Sequence, residues 1–227
     1  MIDQQAIDRL EIYHQQGRLI RHAWTGTDAQ GRETACLLAA LVPECGVMES
    51  ADSCPASVLP PWLANLTPWL DDAGTAAAWP GFVARYVAVL RSWNLDAAQS
   101  QRCDYLCRAL IVREARSHTL DPQCTTACDT VIALCDRAAA GSSHTAEEWA
   151  AARDAATTTI LSARWSGAAA AAIAAGASAA REAAAMAAGA AATAAEATAD
   201  HAPAACDRMI DGILTVLETE IGPRGSK

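Results

Sequence analysis

The sequence is poor in positive charge and in bulky aromatic residues. Its 227 residues include a single lysine and a single phenylalanine, 19% of them are charged, and the formal net charge is −9. A protein that binds nucleic acid without reading its sequence needs a dense basic face. We therefore expect no direct binding to nucleic acid. The negative charge is spread thinly along the chain, so the sequence does not predict a mimic of nucleic acid either.

Long runs of large apolar residues are also missing. The most apolar window, residues 167–180, is nearly all alanine and is bracketed by Arg164, Arg181 and Glu182. Alanine is only weakly favoured in lipid, so we expect no membrane span. Residues 1–5 do not begin a basic stretch followed by an apolar run, which is the pattern of a secretory signal. These absences predict a soluble, intracellular protein.

Sequence signatures of common active sites are absent as well. The chain contains no G-x-S-x-G, no H-E-x-x-H, no P-loop and no G-x-G-x-x-G motif. In the same order, these motifs mark serine hydrolases, zinc proteases, nucleoside triphosphate sites and dinucleotide sites. We therefore expect no cofactor and no metal, and an enzyme is the weaker functional hypothesis.

The nine cysteines are an odd number in a chain without a secretory signal, which favours reduced thiols. Cys103 and Cys107 are four residues apart, as are Cys124 and Cys128, and this spacing places each pair on one helix face. Free cysteine is among the most buried residue types, so we interpret these residues as part of the core. A zinc site is the alternative, since His118 lies between the pairs, but matching pairs of ligands at zinc spacing are missing.

Composition divides the chain into two parts. Residues 146–205 hold 32 alanines in 60 positions, whereas residues 1–145 hold 24. Alanine is the best helix former. We predict a proline- and tryptophan-rich, mainly helical domain at 1–143, an alanine-rich helical hairpin with an amphipathic last helix at 144–222, and a flexible tail at 223–227. The predicted fold class is all-α, a helical bundle.

Helical periodicity and capping residues predict the individual elements. Thr145 and Glu148 form a capping box at the start of one helix, and Pro61 fits the first turn of another, shorter one. The predicted longer helices span residues 3–16, 81–93, 97–117, 122–139, 145–165, 168–199 and 203–221.

A small β-hairpin near residues 18–40 is the only substantial strand prediction. Residues 18–24 are predicted as its first strand and residues 27–31, which contain aspartate and glycine, as its turn. Residues 33–42 then form either the return strand or a short helix.

The segment 18–80 carries most of the chemistry and is the predicted recognition region. Tryptophan and arginine side chains together are typical of binding hot spots. The tryptophans have a second interpretation as core residues, and Asp71-Asp72 has one as a helix end followed by a turn. The predicted recognition residues are Arg21, His22, Trp24, Arg32, Glu33, Trp62, Trp69, Asp71, Asp72 and Trp79.

Two other classes of function stay open at this point. A metal-assisted hydrolase would use Asp71, Asp72, Glu33 and His22, which requires that these side chains converge in one pocket with perturbed protonation. A self-assembling scaffold would form homo-oligomers through the alanine-rich helices. Scattering of the four side chains favours a binder or inhibitor over the hydrolase.

Three short motifs stand out in the first part of the chain: GRETACLLAAL at 31–41 followed by Pro43-Glu44, SCPASVLP at 53–60 and PWL at 61–63. In these motifs the chain resembles a group of uncharacterised proteins of phages and prophages. The similarity covers residues 17–80 and 146–221, and those proteins also end in an alanine-dense tract and an amphipathic helix. It implies a phage accessory role in the cytoplasm of a bacterial host, with a host protein or protein complex as the partner, including bacterial defence machinery. No catalytic residue is implied.

Overall fold

The architecture is that of a computed structural model, which describes residues 3–162, residue 190 and residues 202–222. Within these residues the chain is mainly helical, with one two-stranded antiparallel sheet, and the all-α prediction with a small hairpin is confirmed. No helix in the described part of the chain is long and apolar enough to cross a membrane. The predicted alanine helix at 168–199 lies outside the described residues, apart from residue 190.

The elements follow one another with short connections. Pro43, Pro61 and Pro122 each occupy the first helical position, where the missing N–H costs nothing. The helices are α1 (Gln4–Gln15), α2 (Leu37–Leu41), α3 (Pro43–Met48), α4 (Pro61–Asp72), α5 (Trp79–Arg91), α6 (Ala97–Ser117), α7 (Pro122–Ala139), α8 (Ala146–Ser162) and α9 (Ala202–Ile221), and the strands are β1 (Thr25–Thr27) and β2 (Glu33–Ala35).

Capping residues explain where the long helices begin. Asp96 accepts from the Gln99 N–H at 2.8 Å, and the Gln99 side chain accepts from the Asp96 N–H at 3.0 Å, which fixes the start of α6. Asp121 caps α7 through the Cys124 N–H. The predicted capping box of Thr145 with Glu148 is confirmed at the start of α8. Helices α6 and α7 therefore have their predicted bounds.

Helices α6 and α7 pack side by side as an antiparallel pair. Their surface ion pairs, Arg113 with Asp136 and Arg116 with Asp129, run in opposite sequence directions, as antiparallel helices require. Helix α8 packs on α7, and α9 packs on α5 and α6. The cysteines of the two helical pairs are all buried between these helices, as predicted.

One hydrophobic core runs through all the described helices. It includes Leu10 of α1, Leu66 of α4 and Tyr86 of α5, and also Trp149 of α8 and Leu217 of α9. The division of the chain at residue 144 remains a prediction, but the described helices on its two sides share this core.

The predicted strand at residues 18–24 is wrong, because the first strand lies just beyond it. Leu19 makes only an isolated parallel bridge to Ala35. The chain then bends, because the side chain of Arg21 turns to the end of α4 and His22 adopts a positive φ of 62°. A β-strand needs negative φ, so the extended run ends there.

The two alternatives for residues 33–42 both occur, one after the other. Strand β2 pairs with β1 in the register Thr25 to Ala35 and Thr27 to Glu33. Cys36 then caps α2, its sulfur accepting from the Ala39 N–H at 3.4 Å. The turn between the strands lies where it was predicted.

The thiols are free and are mostly structural. None of the nine cysteines forms a disulfide, and all except the half-buried Cys54 are buried. Burial raises the pKa of Cys36 to about 11 and that of Cys103 to about 12, so these thiols stay protonated at neutral pH.

A thiol reagent should therefore modify Cys54 first and leave the other cysteines unreacted until the chain unfolds. The thiolate is the reactive form, and burial raises the pKa of Cys54 too, but only Cys54 is open to the reagent because the other eight cysteines are buried. Titration with Ellman's reagent, before and after denaturation, checks this result. Fast reaction of several thiols in the native protein would contradict it, and Cys54→Ala is the control that should remove the fast phase.

Candidate functional site

Six of the predicted recognition residues gather around the C-terminal end of α4. A cavity of about 130 Å³ lies there, and its lining is His22, Ala23, Trp24, Cys36, Pro68, Asp71 and Asp72. Arg21 and Trp79 adjoin it through their hydrogen bonds to Asp71. Sequence reasoning therefore placed these residues in one neighbourhood, although they lie about fifty positions apart in the chain.

The guanidinium of Arg21 closes the end of α4. It donates to the carbonyl oxygens of Asp71 at 2.9 Å, Asp72 at 2.8 Å and Ala73 at 2.8 Å. The last carbonyls of a helix have no partner within the helix, and a cation there also interacts favourably with the helix dipole. Arg21 is thus occupied in holding the fold together.

Asp71 is a buried carboxylate that joins three helices. Its Oδ2 accepts from the Leu37 N–H at the start of α2 at 3.0 Å, and its Oδ1 accepts from the Trp79 indole N–H of α5 at 2.9 Å. Burial raises the pKa of Asp71 to about 6, although these hydrogen bonds and the charge of Arg21 act in the opposite direction.

His22 holds a strained backbone at the mouth of this cavity. Its φ of 62° lies in the left-handed region, which is uncommon for a residue other than glycine. The Asp72 carboxylate accepts from the His22 N–H at 2.5 Å, and the His22 ring nitrogen lies 3.5 Å from the same oxygen. The side chain of His22 stays largely exposed.

The four side chains of the hydrolase hypothesis do not all meet. His22, Asp71 and Asp72 share the cavity, but Glu33 lines a different depression. Both oxygens of Asp71 accept hydrogen bonds from the fold itself. Within residues 3–162 and 202–222, no group of three or more histidine, cysteine, aspartate or glutamate side chains could hold a metal ion.

Three of the other predicted recognition residues, Trp62, Trp69 and Arg32, are also anchored to the fold. The Trp62 indole donates to the Ser100 hydroxyl at 3.2 Å, and Trp69 packs half-buried against the core. Arg32 forms an ion pair with Asp28 inside the hairpin turn at 2.7 Å. The tryptophans thus contribute to the core, in line with the second interpretation, while their role in recognition stays a prediction.

Sequence reasoning missed a groove between the hairpin and α3, in which Glu33 alone was a predicted recognition residue, and we call it the hairpin–α3 groove. It has a volume of about 240 Å³. Val47 and Met48, at the end of α3, carry side chains that are 82% and 65% exposed. The groove is lined by Arg9, Tyr13, Thr25, Gly26, Glu33, Ala35, Ala39, Pro43, Gly46 and Val47.

A glycine allows α3 to approach the hairpin closely enough to form this groove. A Cβ atom on Gly46 would lie 2.8 Å from the Thr25 Cγ2 atom and 3.0 Å from the Ala39 Cβ atom. Side-chain atoms do not approach so closely, so only glycine fits. The contact also shows that the Thr25 side chain faces α3.

The hairpin leaves one edge of its backbone open. Cys36 N–H donates to the Trp24 carbonyl and Asp28 N–H donates to the Arg32 carbonyl, both at 2.9 Å, so the even-numbered positions of the first strand face β2. Hydrogen-bonding directions alternate along an antiparallel strand. The N–H and C=O groups of Thr25 and Thr27 therefore point away from β2, and all three residues of β1 are exposed.

A second depression of similar size lies between α5 and α9, but its polar groups are already paired. Trp79, Phe82 and Ile210 are among its apolar lining residues. Asp207 accepts from the N–H and hydroxyl of Thr75, at 2.9 and 3.0 Å. Arg85 is held by Asp211 and Glu218. These groups act between elements of the fold and offer little to orient a ligand.

Comparison with protein-family models, curated proteins and solved structures gives no match for this chain. The function must therefore be argued from the chemistry of the cavity at α4 and of the hairpin–α3 groove. The adjacent apolar residues Val47 and Met48 are visible in the sequence, but nothing in the sequence shows that Gly46 contacts Thr25.

Proposed function

We propose that this protein is a phage accessory protein that binds and inhibits a bacterial host protein, and that the hairpin–α3 groove is its contact surface. The observation that carries the proposal is the exposed pair Val47 and Met48 beside an open strand edge. Exposed apolar side chains that cluster at a groove mark interaction sites, whereas scattered ones need no explanation. The host cytoplasm and an anti-defence role belong to the same proposal.

The groove suits a protein partner better than a small molecule. Sites for small molecules enclose most of the ligand surface and supply a few convergent polar groups. Here Val47 lines the groove and Met48 follows it at the end of α3, both largely exposed, and the adjoining polar groups are backbone atoms arranged in a row along β1. Rows of backbone donors and acceptors are recognised by another polypeptide.

The state of the carboxylates supports binding over catalysis. The Asp71 oxygens are occupied by Leu37 and Trp79, and the Asp72 carboxylate accepts from the backbone of His22. A general base must reach the proton it removes, and these oxygens are directed at the fold.

Changing both exposed residues of α3 should abolish partner binding while the fold is retained. In the variant Val47→Asp/Met48→Asp, affinity for a partner captured from bacterial lysate should fall by more than about 100-fold, since two hot-spot side chains each contribute ~2 kcal/mol or more. Capture with mass spectrometry identifies the partner, and calorimetry with the purified partner measures its affinity.

Leu120 provides the matched control for this experiment. It is 99% exposed on the connection between α6 and α7, outside the groove. Leu120→Asp adds the same kind of charge at the same kind of exposed apolar position, so its affinity should stay within about twofold of wild type. Equal loss in both variants, or no loss in either, would place the partner elsewhere.

A further inference from the structure

We infer that the hairpin–α3 groove receives an extended, basic segment of the partner, which adds to β1 as a third strand. This inference rests on the proposed function and specifies the partner's chemistry. An extended chain, an amphipathic helix and a second copy of this protein would each bury Val47 and Met48. The backbone, the lining and the charge of the groove all favour the extended chain.

The backbone of β1 supplies the directional part of the recognition. Thr25 and Thr27 direct their N–H and C=O groups outward, which allows four hydrogen bonds to an added strand. Natural proteins protect open edges with charged residues, prolines or bulges. Strand β1 reads Thr-Gly-Thr and is exposed throughout, so it carries none of these protections beyond its short length.

The side-chain lining supplies an apolar anchor point beside that edge. The Thr25 side chain faces α3, and Thr27 and Glu33 lie on the same face of the sheet because side chains alternate. Every second side chain of an added strand would point to this face, on which α3 presents Val47. The partner segment should therefore alternate, with apolar residues at every second position.

The charge at the groove favours a basic segment. Glu33 lines the groove, whereas Glu44 lies in the first turn of α3 and Glu49 caps its end, next to the lining residues Pro43 and Val47. All three glutamates are exposed and form no ion pair with any residue from 3 to 162 or from 202 to 222.

The two arginines of the same region are engaged within the fold. Arg9 donates to the Ala40 and Leu41 carbonyls. Arg18 donates to the Glu33 carbonyl and stacks over the Tyr13 ring at 4.0 Å. The carboxylates are thus the groups available to a partner, and like charge in that partner would be repelled.

A random peptide library selected on the full-length protein, with counter-selection on Val47→Asp/Met48→Asp, tests the inference. Selected peptides should be rich in lysine and arginine and should alternate apolar with polar residues.

N-methylation of the amides that face β1 should weaken binding at least about tenfold, and N-methylation of the intervening amides should change it little. Glu33→Gln and Glu44→Gln should each weaken a selected peptide about twofold to fivefold, and Asp154→Asn, on the exposed face of α8, should not.

Each other outcome overturns the inference. Peptides with apolar residues three and four positions apart indicate a helical occupant, and acidic peptides contradict the charge argument. A dimer in light scattering that Val47→Asp/Met48→Asp dissociates indicates a second copy of the chain. Failure to select any peptide that distinguishes the two proteins also refutes it. If a host protein is captured from lysate and the capture depends on Val47 and Met48, the proposed function stands in each of these cases. If no such capture occurs, the proposed function and this inference both fail.

Discussion

Replacing Asp104 with alanine should lower the free energy of unfolding by about 3–5 kcal/mol, because it removes one partner of a buried ion pair. Arg108 is the largest fully buried side chain, 1% exposed, and Asp104 is 7% exposed. The Arg108 Nε atom donates to the Asp104 Oδ1 atom at 2.6 Å across one turn of α6. Without the carboxylate, the guanidinium keeps its charge in a site from which water is excluded.

A surface ion pair between α6 and α7 provides the control. Arg113 and Asp136 also lie 2.6 Å apart, but both side chains are about half exposed. Asp136→Ala should therefore cost at most about 1 kcal/mol. Urea unfolding followed by circular dichroism measures both variants. Equal losses of stability in the two variants would show that the buried pair contributes no more than an exposed one. The double variant Asp104→Leu/Arg108→Met removes both charges and should recover much of the stability that Asp104→Ala loses.

This pair also shows why periodicity alone misjudged part of α6. Leu106 and Leu110 lie at helical spacing from Cys103 and Cys107, a pattern that predicts a shared core face, but the structure leaves both leucines half-buried while it buries Asp104 and Arg108. Charged residues are almost never fully buried unless they are paired. A partner four residues away fits a surface pair equally well, so the sequence does not reveal burial.

Local signals predicted the helices and the hairpin turn well. Asp96 with Gln99 and Asp121 before Pro122 fixed the starts of α6 and α7, since caps act within one turn. The Asp28 carboxylate accepts from the N–H groups of Gln30 and Arg32, which closes the turn at its predicted place. Interactions within four residues are readable from sequence.

Long-range contacts account for the parts that were not predicted. The first strand begins late because Arg21 reaches carbonyls about fifty residues further along the chain. The hairpin–α3 groove exists because Gly46 meets Thr25, and neither residue carries a signal of that contact. The sequence singled out Asp71 and Asp72 at the cavity beside α4. It could not show that Asp71 accepts from Leu37 and Trp79, because those contacts depend on how α2, α4 and α5 pack together.

Asp71 should make the protein less stable as the pH rises from about 4 to about 6, by up to ~3 kcal/mol relative to a variant that cannot titrate there. Burial raises the pKa of Asp71 from 3.8 to about 6 in the folded chain. Between these values the folded state keeps a proton that the unfolded state has released. The unfolded state then binds fewer protons, so the free energy of unfolding falls with rising pH.

Asp71→Asn isolates this contribution. The amide oxygen can still accept from Trp79, but the amide nitrogen cannot accept from the Leu37 N–H, which should cost about 1–3 kcal/mol at every pH. This loss of stability does not change with pH, and the variant no longer has the pH-dependent contribution of the Asp71 carboxyl group. Urea unfolding from pH 3.5 to pH 7 should therefore show the stability of wild type falling towards that of the variant. Asp154→Asn, at a carboxylate that is 78% exposed, is the control.

The same titration decides between a structural and a catalytic role for this carboxyl group. A pKa near 6 inside a cavity is also what a general acid would have, and the geometry alone assigns Asp71 to the fold because Leu37 and Trp79 occupy its oxygens. If the Asp71 carboxyl group is structural, the proton NMR resonance of the Trp79 indole N–H should shift with a midpoint near pH 6, at the same pH as the change in the free energy of unfolding. A constant resonance with a flat stability difference would mean that the two hydrogen bonds and Arg21 outweigh burial. Asp71 would then stay ionised across this range and could not donate a proton.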